Sequence, residues 1–235
     1  MFLVGATLSR RAWKRAAAYL LGFWCYLRPG ELVGLKVSQL IAPQQGAMDT
    51  WGVLLAPGEE MRASKTSQFD ESVLLDWPKV PALGQTLRRL TQNQAEREPL
   101  WDFNVAEFNL DWKSDVDRAG LLVLLPHPYT LRHGGASHDL LYKRRDRSEV
   151  LARGRWWSES SIRRYGKHSR ALNEVSRLHP EVKAYGEMIW ANINDFLDSK
   201  RACPAPPRGL QAVAPMLQRA REEATPTSTR RRRTG

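Results

Sequence analysis

Apolar residues recur at three- and four-residue spacing along most of the chain, and two short runs are apolar and β-prone. That pattern predicts a mainly helical α+β protein with a small sheet. A first helix is expected over residues 8–27, with Ser9 as N-cap. Its second half, Ala16 to Leu27, is apolar for twelve residues, short of the ~20 that span a bilayer. It reads as a helix buried all round. Arg28-Pro29-Gly30-Glu31 ends it, and Leu32, Val33, Leu35 and Val37 begin a second, short helix. Residues 43–48 form a Pro/Gln/Gly loop. Trp51 to Leu55 and Ser72 to Leu75 are β-prone, with residues 59–71 reading as a hairpin strand and turn between them.

Further helices are expected over 80–97, with Leu83, Leu87 and Leu90 on one face, and over 105–119. The run Leu121 to Leu125 should bury against the core, and Pro126 and Pro128 should end regular structure before a helix that opens at Leu131-Arg132-His133. Residues 171–198 suggest one helix or a pair, interrupted at His179-Pro180. Apolar Val182, Tyr185, Met188, Ile189, Trp190, Ile193, Phe196 and Leu197 recur there at helical spacing. Such a face packs either inside its own chain or on a neighbouring one. From Ser199 onward Pro, Ala, Thr and Arg dominate, so residues 1–198 read as one domain and 199–235 as a flexible basic tail.

Charge changes this picture less than its total suggests. The net charge is +11, but residues 199–235 hold nine Lys/Arg against two Glu, leaving only +4 for the body. The tail, ending in Arg230 to Arg233, suits a polyanion or a nuclear-targeting role. Two cysteines, Cys25 and Cys203, make no disulfide framework, and a reducing compartment is the default. Met1 to Val4 is too short an apolar run for a signal peptide.

Four segments carry candidate chemistry. Arg28 is followed three residues later by Glu31. Lys65 is the only lysine between Lys36 and Lys79. Tyr129-x-x-Arg132-His133 opens a helix. Gly154-Arg155-Trp156 precedes a Ser-rich turn, with Tyr165 nine positions after Trp156. In this order and at these gaps the residues resemble the catalytic domain of the tyrosine recombinases, most closely in look those of eukaryotic mobile elements. The resemblance covers roughly residues 8–170. It implies the recombinase catalytic-domain fold with a three-stranded antiparallel sheet, whose second turn carries an active-site lysine. It implies cleavage and rejoining of double-stranded DNA through a 3′-phosphotyrosine, with the protein associating as a tetramer on DNA. No cofactor, metal, membrane or small-molecule substrate enters this chemistry.

The roles that follow are those of the family. Tyr165 is the nucleophile, with Arg163, Arg164 and Lys167 as its basic setting. Arg28 and Arg132 clamp the phosphate with always-charged forks. Lys65 protonates the leaving 5′-oxygen, Trp156 packs over the site and donates its indole N–H, and Glu31 and His133 support from behind. The chain departs from the family at Tyr129, where a histidine usually helps remove the nucleophile's proton. A phenol, ordinarily of pKa about 10, is a poor base near neutrality.

Each feature also has an ordinary reading. Arg28 can cap a helix C-terminus, Lys65 can be a solvated hairpin lysine, and His127, His133 and His138 can be read as a zinc cluster that lacks a carboxylate at ligand spacing. The resemblance does not extend to the family's N-terminal DNA-clamping domain, either because these residues are a fragment of a larger product or because that domain has been lost; in either case weaker and less sequence-specific DNA binding is expected. Two other activities fit the same residues: a DNA-binding module that has lost catalysis, and a type IB topoisomerase-like enzyme. A nuclear setting is expected for a eukaryotic chain, and otherwise the cytoplasm or nucleoid.

Overall fold

The computed structural model describes residues 1–58, 71–163, 165 and 168–207. Eleven helices are described: α1 (Phe2–Leu8), α2 (Trp13–Trp24), α3 (Pro29–Val33), α4 (Leu83–Leu90), α5 (Val105–Arg118), α6 (Thr130–Leu141), α7 (Arg147–Gly154), α8 (Glu159–Ile162), α9 (His168–Ser176), α10 (Pro180–Ala191) and α11 (Ile193–Leu197). Strands β1 (Leu40–Ile41), β2 (Gly52–Leu55) and β3 (Glu71–Leu74) form an antiparallel sheet in the order β1-β2-β3. Val53 pairs with Leu40 on one side and Val73 on the other. Val53, Leu55 and Val73 turn into the core, as alternation along a one-sided sheet requires. The chain is therefore α+β and mainly α, with a small three-stranded sheet.

Helix α2 is the axis of the packing. Ala16 to Leu21 are buried without interruption, and α1, α3, α4 and α6 all pack on it. Its far end joins a face-to-face stack of Trp24 on Trp77 (centroids 3.2 Å apart), with Trp190 beside both. Helix α1 crosses α10. In α10, α11 and the segment between them, Val182, Ile189, Ile193, Phe196 and Leu197 are buried in the same core as α2. The 3–4 periodicity of this segment thus serves the chain's own interior. His179 begins α10 as N-cap with Pro180 at the first helical position, where its missing N–H is not needed.

Three expectations are corrected. The helix expected at 8–27 is two helices, and Ser9 ends α1 instead of starting α2. The break at Ser9–Ala12, with Arg11 at φ 59°, lets Arg10 ion-pair with the buried carboxylate of Asp115, which the Tyr19 hydroxyl also reaches at 2.8 Å. The helix expected at 80–97 stops at Leu90. Thr91 turns its hydroxyl onto the Leu87 carbonyl, and Glu96 and Glu98 accept backbone bonds from Ser38 and Val37. The run Leu121 to Leu125 makes a 3-10 turn in which only Leu121 is buried, while Leu125 is left-handed and 65% exposed. Among the described residues no helix is long and apolar enough to cross a membrane.

Candidate active site

Two left-handed residues and two capped helices build the site. Helix α2 ends at Trp24, and Tyr26 at φ 50° turns the chain so that its carbonyl and its phenol both face α6. Arg28 is thus the N-cap of α3, not the C-cap of a preceding helix. Glu31 stands at the third helical position and accepts the Arg28 backbone N–H at 2.8 Å, the carboxylate half of a capping box, which ties Glu31 back to the start of the helix. Its other carboxylate oxygen receives the Arg28 guanidinium. The Tyr129 phenol lies close enough to the same guanidinium to favour its charged form. Burial opposes the charge on Arg28, yet Glu31 and Tyr129 raise its pKa above the ordinary value.

Helix α6 carries Arg132, which has no solvent exposure. One terminal nitrogen donates to the Tyr26 carbonyl and the other to the Gly154 carbonyl. Its Nε is buried without a hydrogen-bond partner among the described residues. Burial, then repulsion from Arg155 and Arg28, pushes its pKa down to about 10, so it stays charged at neutral pH. Two turns along α6, Asp139 accepts the Tyr26 hydroxyl at 2.5 Å and Arg145 at 3.1 Å. Arg145 and Arg153 both reach Asp76, at 2.7 and 3.1 Å. This network fastens α6 and α7 to the end of α2.

Asp146 and Glu149 cap the start of α7 reciprocally. At its end Arg155 adopts φ 51°, and the Trp156 N–H closes back on the Leu151 carbonyl at 3.0 Å. That turn lays the Trp156 ring 4.8 Å over the Arg132 guanidinium. Tyr165 follows α8 and stacks on Trp156 at 4.9 Å and 27°. His133 lies between Tyr165 (5.1 Å) and Tyr129 (4.7 Å), and Tyr26 lies 6.2 Å beyond Trp156. The result is a column of rings, Tyr129, His133, Tyr165, Trp156 and Tyr26, beside three arginines. Tyr165 itself is 7% exposed. His138 faces away from this column, toward Asp139, Phe23, Trp24 and Tyr142.

The structure therefore brings together Arg28, Glu31, Tyr129, Arg132, His133, Trp156 and Tyr165, drawn from four stretches of sequence. Lys65, Arg164 and Lys167 lie outside the described residues. The expected clamp differs in two respects: both terminal nitrogens of Arg132 bond backbone carbonyls, and Arg28 is paired with Glu31. Sequence reasoning missed Arg155. Its Nη2 bonds Glu31 at 2.6 Å, and its Nε lies 3.4 Å from a Glu71 carboxylate oxygen. Within Gly154-Arg155-Trp156 the eye goes to the tryptophan, and no sequence signal ties residue 155 to residue 31. Compared with protein-family models, curated proteins and solved structures, the chain matches none.

Proposed function

We propose that this chain is the catalytic domain of a tyrosine recombinase, cutting and rejoining DNA one strand at a time. The observation that carries the reading is the convergence on one spot of Arg28, Arg132, Trp156 and Tyr165, the last three in direct ring and guanidinium contact. In this mechanism the Tyr165 oxygen attacks phosphorus, the phosphorus–O5′ bond breaks, and the DNA 3′ end is held as a phosphotyrosine. Lys65 gives the leaving oxygen its proton. Arg28 and Arg132 stabilise charge on the non-bridging oxygens, the kind of contribution that costs about 10²- to 10³-fold in rate when one donor is removed. The partners would be double-stranded DNA and further copies of the chain assembled on it.

The test is covalent trapping on nicked suicide duplexes taken from DNA flanking the gene. The native protein should give a protein–DNA band on a denaturing gel, and Tyr165→Phe should give none. An equal band from Tyr165→Phe would remove the assigned nucleophile. One observation favours a second reading, a DNA-binding module without catalysis: Arg132 spends both terminal nitrogens on carbonyls of its own chain. Retention of duplex on native gels with no adduct from the native protein would favour that reading.

A further inference from the structure

We propose that Arg155 is a positioning residue for strand cleavage, holding Glu31 so that Arg28 stays available to the phosphate. The inference rests on the recombinase reading and adds a residue to it.

One carboxylate, Glu31, stands between two guanidinium groups. Its Oε2 takes both the Arg28 backbone N–H and Arg155 Nη2, at 2.8 and 2.6 Å, and its Oε1 takes the Arg28 side chain. The two arginines are not equivalent. The Arg155 side chain is 5% exposed and also lies within ion-pair range of Glu71 at the start of β3, whereas the Arg28 side chain keeps 15% exposure. An arriving phosphate meets Arg28 more readily than Arg155, whose side chain is the less exposed of the two and also faces Glu71.

Charge balance makes Arg155 necessary. With Arg155 present, the Glu31 charge is already compensated when Arg28 swings to an anion. Without it, Arg28 would have to leave a half-buried carboxylate uncompensated, which is costly, and the Arg28–Glu31 pair would close on itself. The backbone points the same way. A non-glycine residue just past a helix end is strained at φ 51°, a position glycine commonly fills. Strain of this kind is retained where the side chain has work to do. That one conformation aims residue 155 at Glu31 and folds Trp156 over Arg132.

The experiment measures single-turnover adduct formation on the nicked suicide duplex for the native protein, Arg155→Ala, Arg155→Lys and Arg155→Ala/Glu31→Gln. In parallel, the Glu31 carboxyl carbon is titrated by NMR in the native and Arg155→Ala proteins. Arg155→Ala should slow adduct formation by about 10²-fold with duplex affinity little changed, and Lys should restore part of the rate. Adding Glu31→Gln should recover about tenfold over Arg155→Ala, because it frees Arg28; coupled pairs show interaction of this size. A residue that only stabilised the fold would lower the urea midpoint and duplex affinity along with the rate, and its rate would return only as far as the midpoint did. An Arg155→Ala rate equal to native, or a double variant slower than Arg155→Ala, overturns the proposal while the recombinase reading stands. No adduct from the native protein overturns that reading, and the role in cleavage falls with it. The Glu31 titration should move upward in Arg155→Ala whether or not DNA is cut, and an unmoved titration overturns the proposal by itself.

Discussion

Replacing Gly135 with alanine separates two physical effects of opposite sign. In the middle of a helix such as α6, alanine ordinarily stabilises by about 0.5–1 kcal/mol relative to glycine. Here the added methyl would stand 2.8 Å from Tyr26 Cδ1 and 2.9 Å from the Phe23 carbonyl carbon, and closer still to the Phe23 oxygen. The Phe23 carbonyl oxygen, the nearest atom, sets the displacement: α6 must retreat from the end of α2 by more than about 1 Å to restore an ordinary contact, and the obstacle is backbone that cannot rotate away. Overpacking of this kind costs about 1–3 kcal/mol or more. The same retreat lengthens the bond from Arg132, one turn earlier, to the Tyr26 carbonyl. The clash wins, and a net loss of about 2 kcal/mol is expected. In urea denaturation that is a fall in midpoint of about 1 M, with the slope unchanged. Gly134→Ala is the control: its methyl would meet the Phe23 ring edge at 3.0 Å, which can shift, so its midpoint should match or slightly exceed the native one. Gly135→Ala at or above native stability, or a loss shared equally by both variants, would refute the close approach of α2 and α6 as its cause.

Three further outcomes follow from the buried network. Tyr26→Phe deletes the 2.5 Å bond to Asp139 and should cost about 1–3 kcal/mol; a loss under about 0.5 kcal/mol contradicts the bond's placement in a dry interior. Glu31 and Asp139 should make the fold acid-sensitive. Burial raises both carboxyls, but Arg155 and Arg28 outweigh it at Glu31, and His138, Tyr26 and Arg145 outweigh it at Asp139, so both sit below the usual range. A depressed carboxyl stabilises fully above its unfolded value and loses that contribution as pH falls through its folded value, so urea midpoints should drop below about pH 4. The Glu31→Gln/Asp139→Asn variant should start lower and lose less; an unchanged acid slope counts against the network. Asp115 has the opposite sign, because burial raises it more than Tyr19 and Arg10 lower it, so Asp115→Asn should steepen the acid loss.

The sheet, α5, α6 and the His179-Pro180 break were legible because each has a local cause: short apolar β-prone runs, the Asn104–Glu107 cap, or a proline at a helix start. The break between α1 and α2 was not. No glycine or proline marks Ser9 to Ala12, and its cause, the buried carboxylate of Asp115, lies about a hundred residues away. The exposure of Leu125 follows from a left-handed turn that its composition hides. Within the site, motif spacing predicted which residues meet. It could not say which acceptors satisfy Arg132, because those are backbone carbonyls of Tyr26 and Gly154, invisible to side-chain patterns. Arg155 was illegible for a different reason: its partners are the side chains of Glu31 and Glu71, brought to it by a turn and not by spacing.

The burial of Arg132 also acts as an assembly check. A guanidinium with no exposure tolerates its surroundings only when the carbonyls of residues 26 and 154 are both in place, and these arrive from opposite sides of it in the chain. A truncated or half-folded molecule lacks one of them and must leave the charge in water, so Trp156 and Tyr165 have nothing to settle against. Tyr165 is therefore not set in place piecemeal. On the recombinase reading, a chain that breaks DNA would gain by having no intermediate form able to do so.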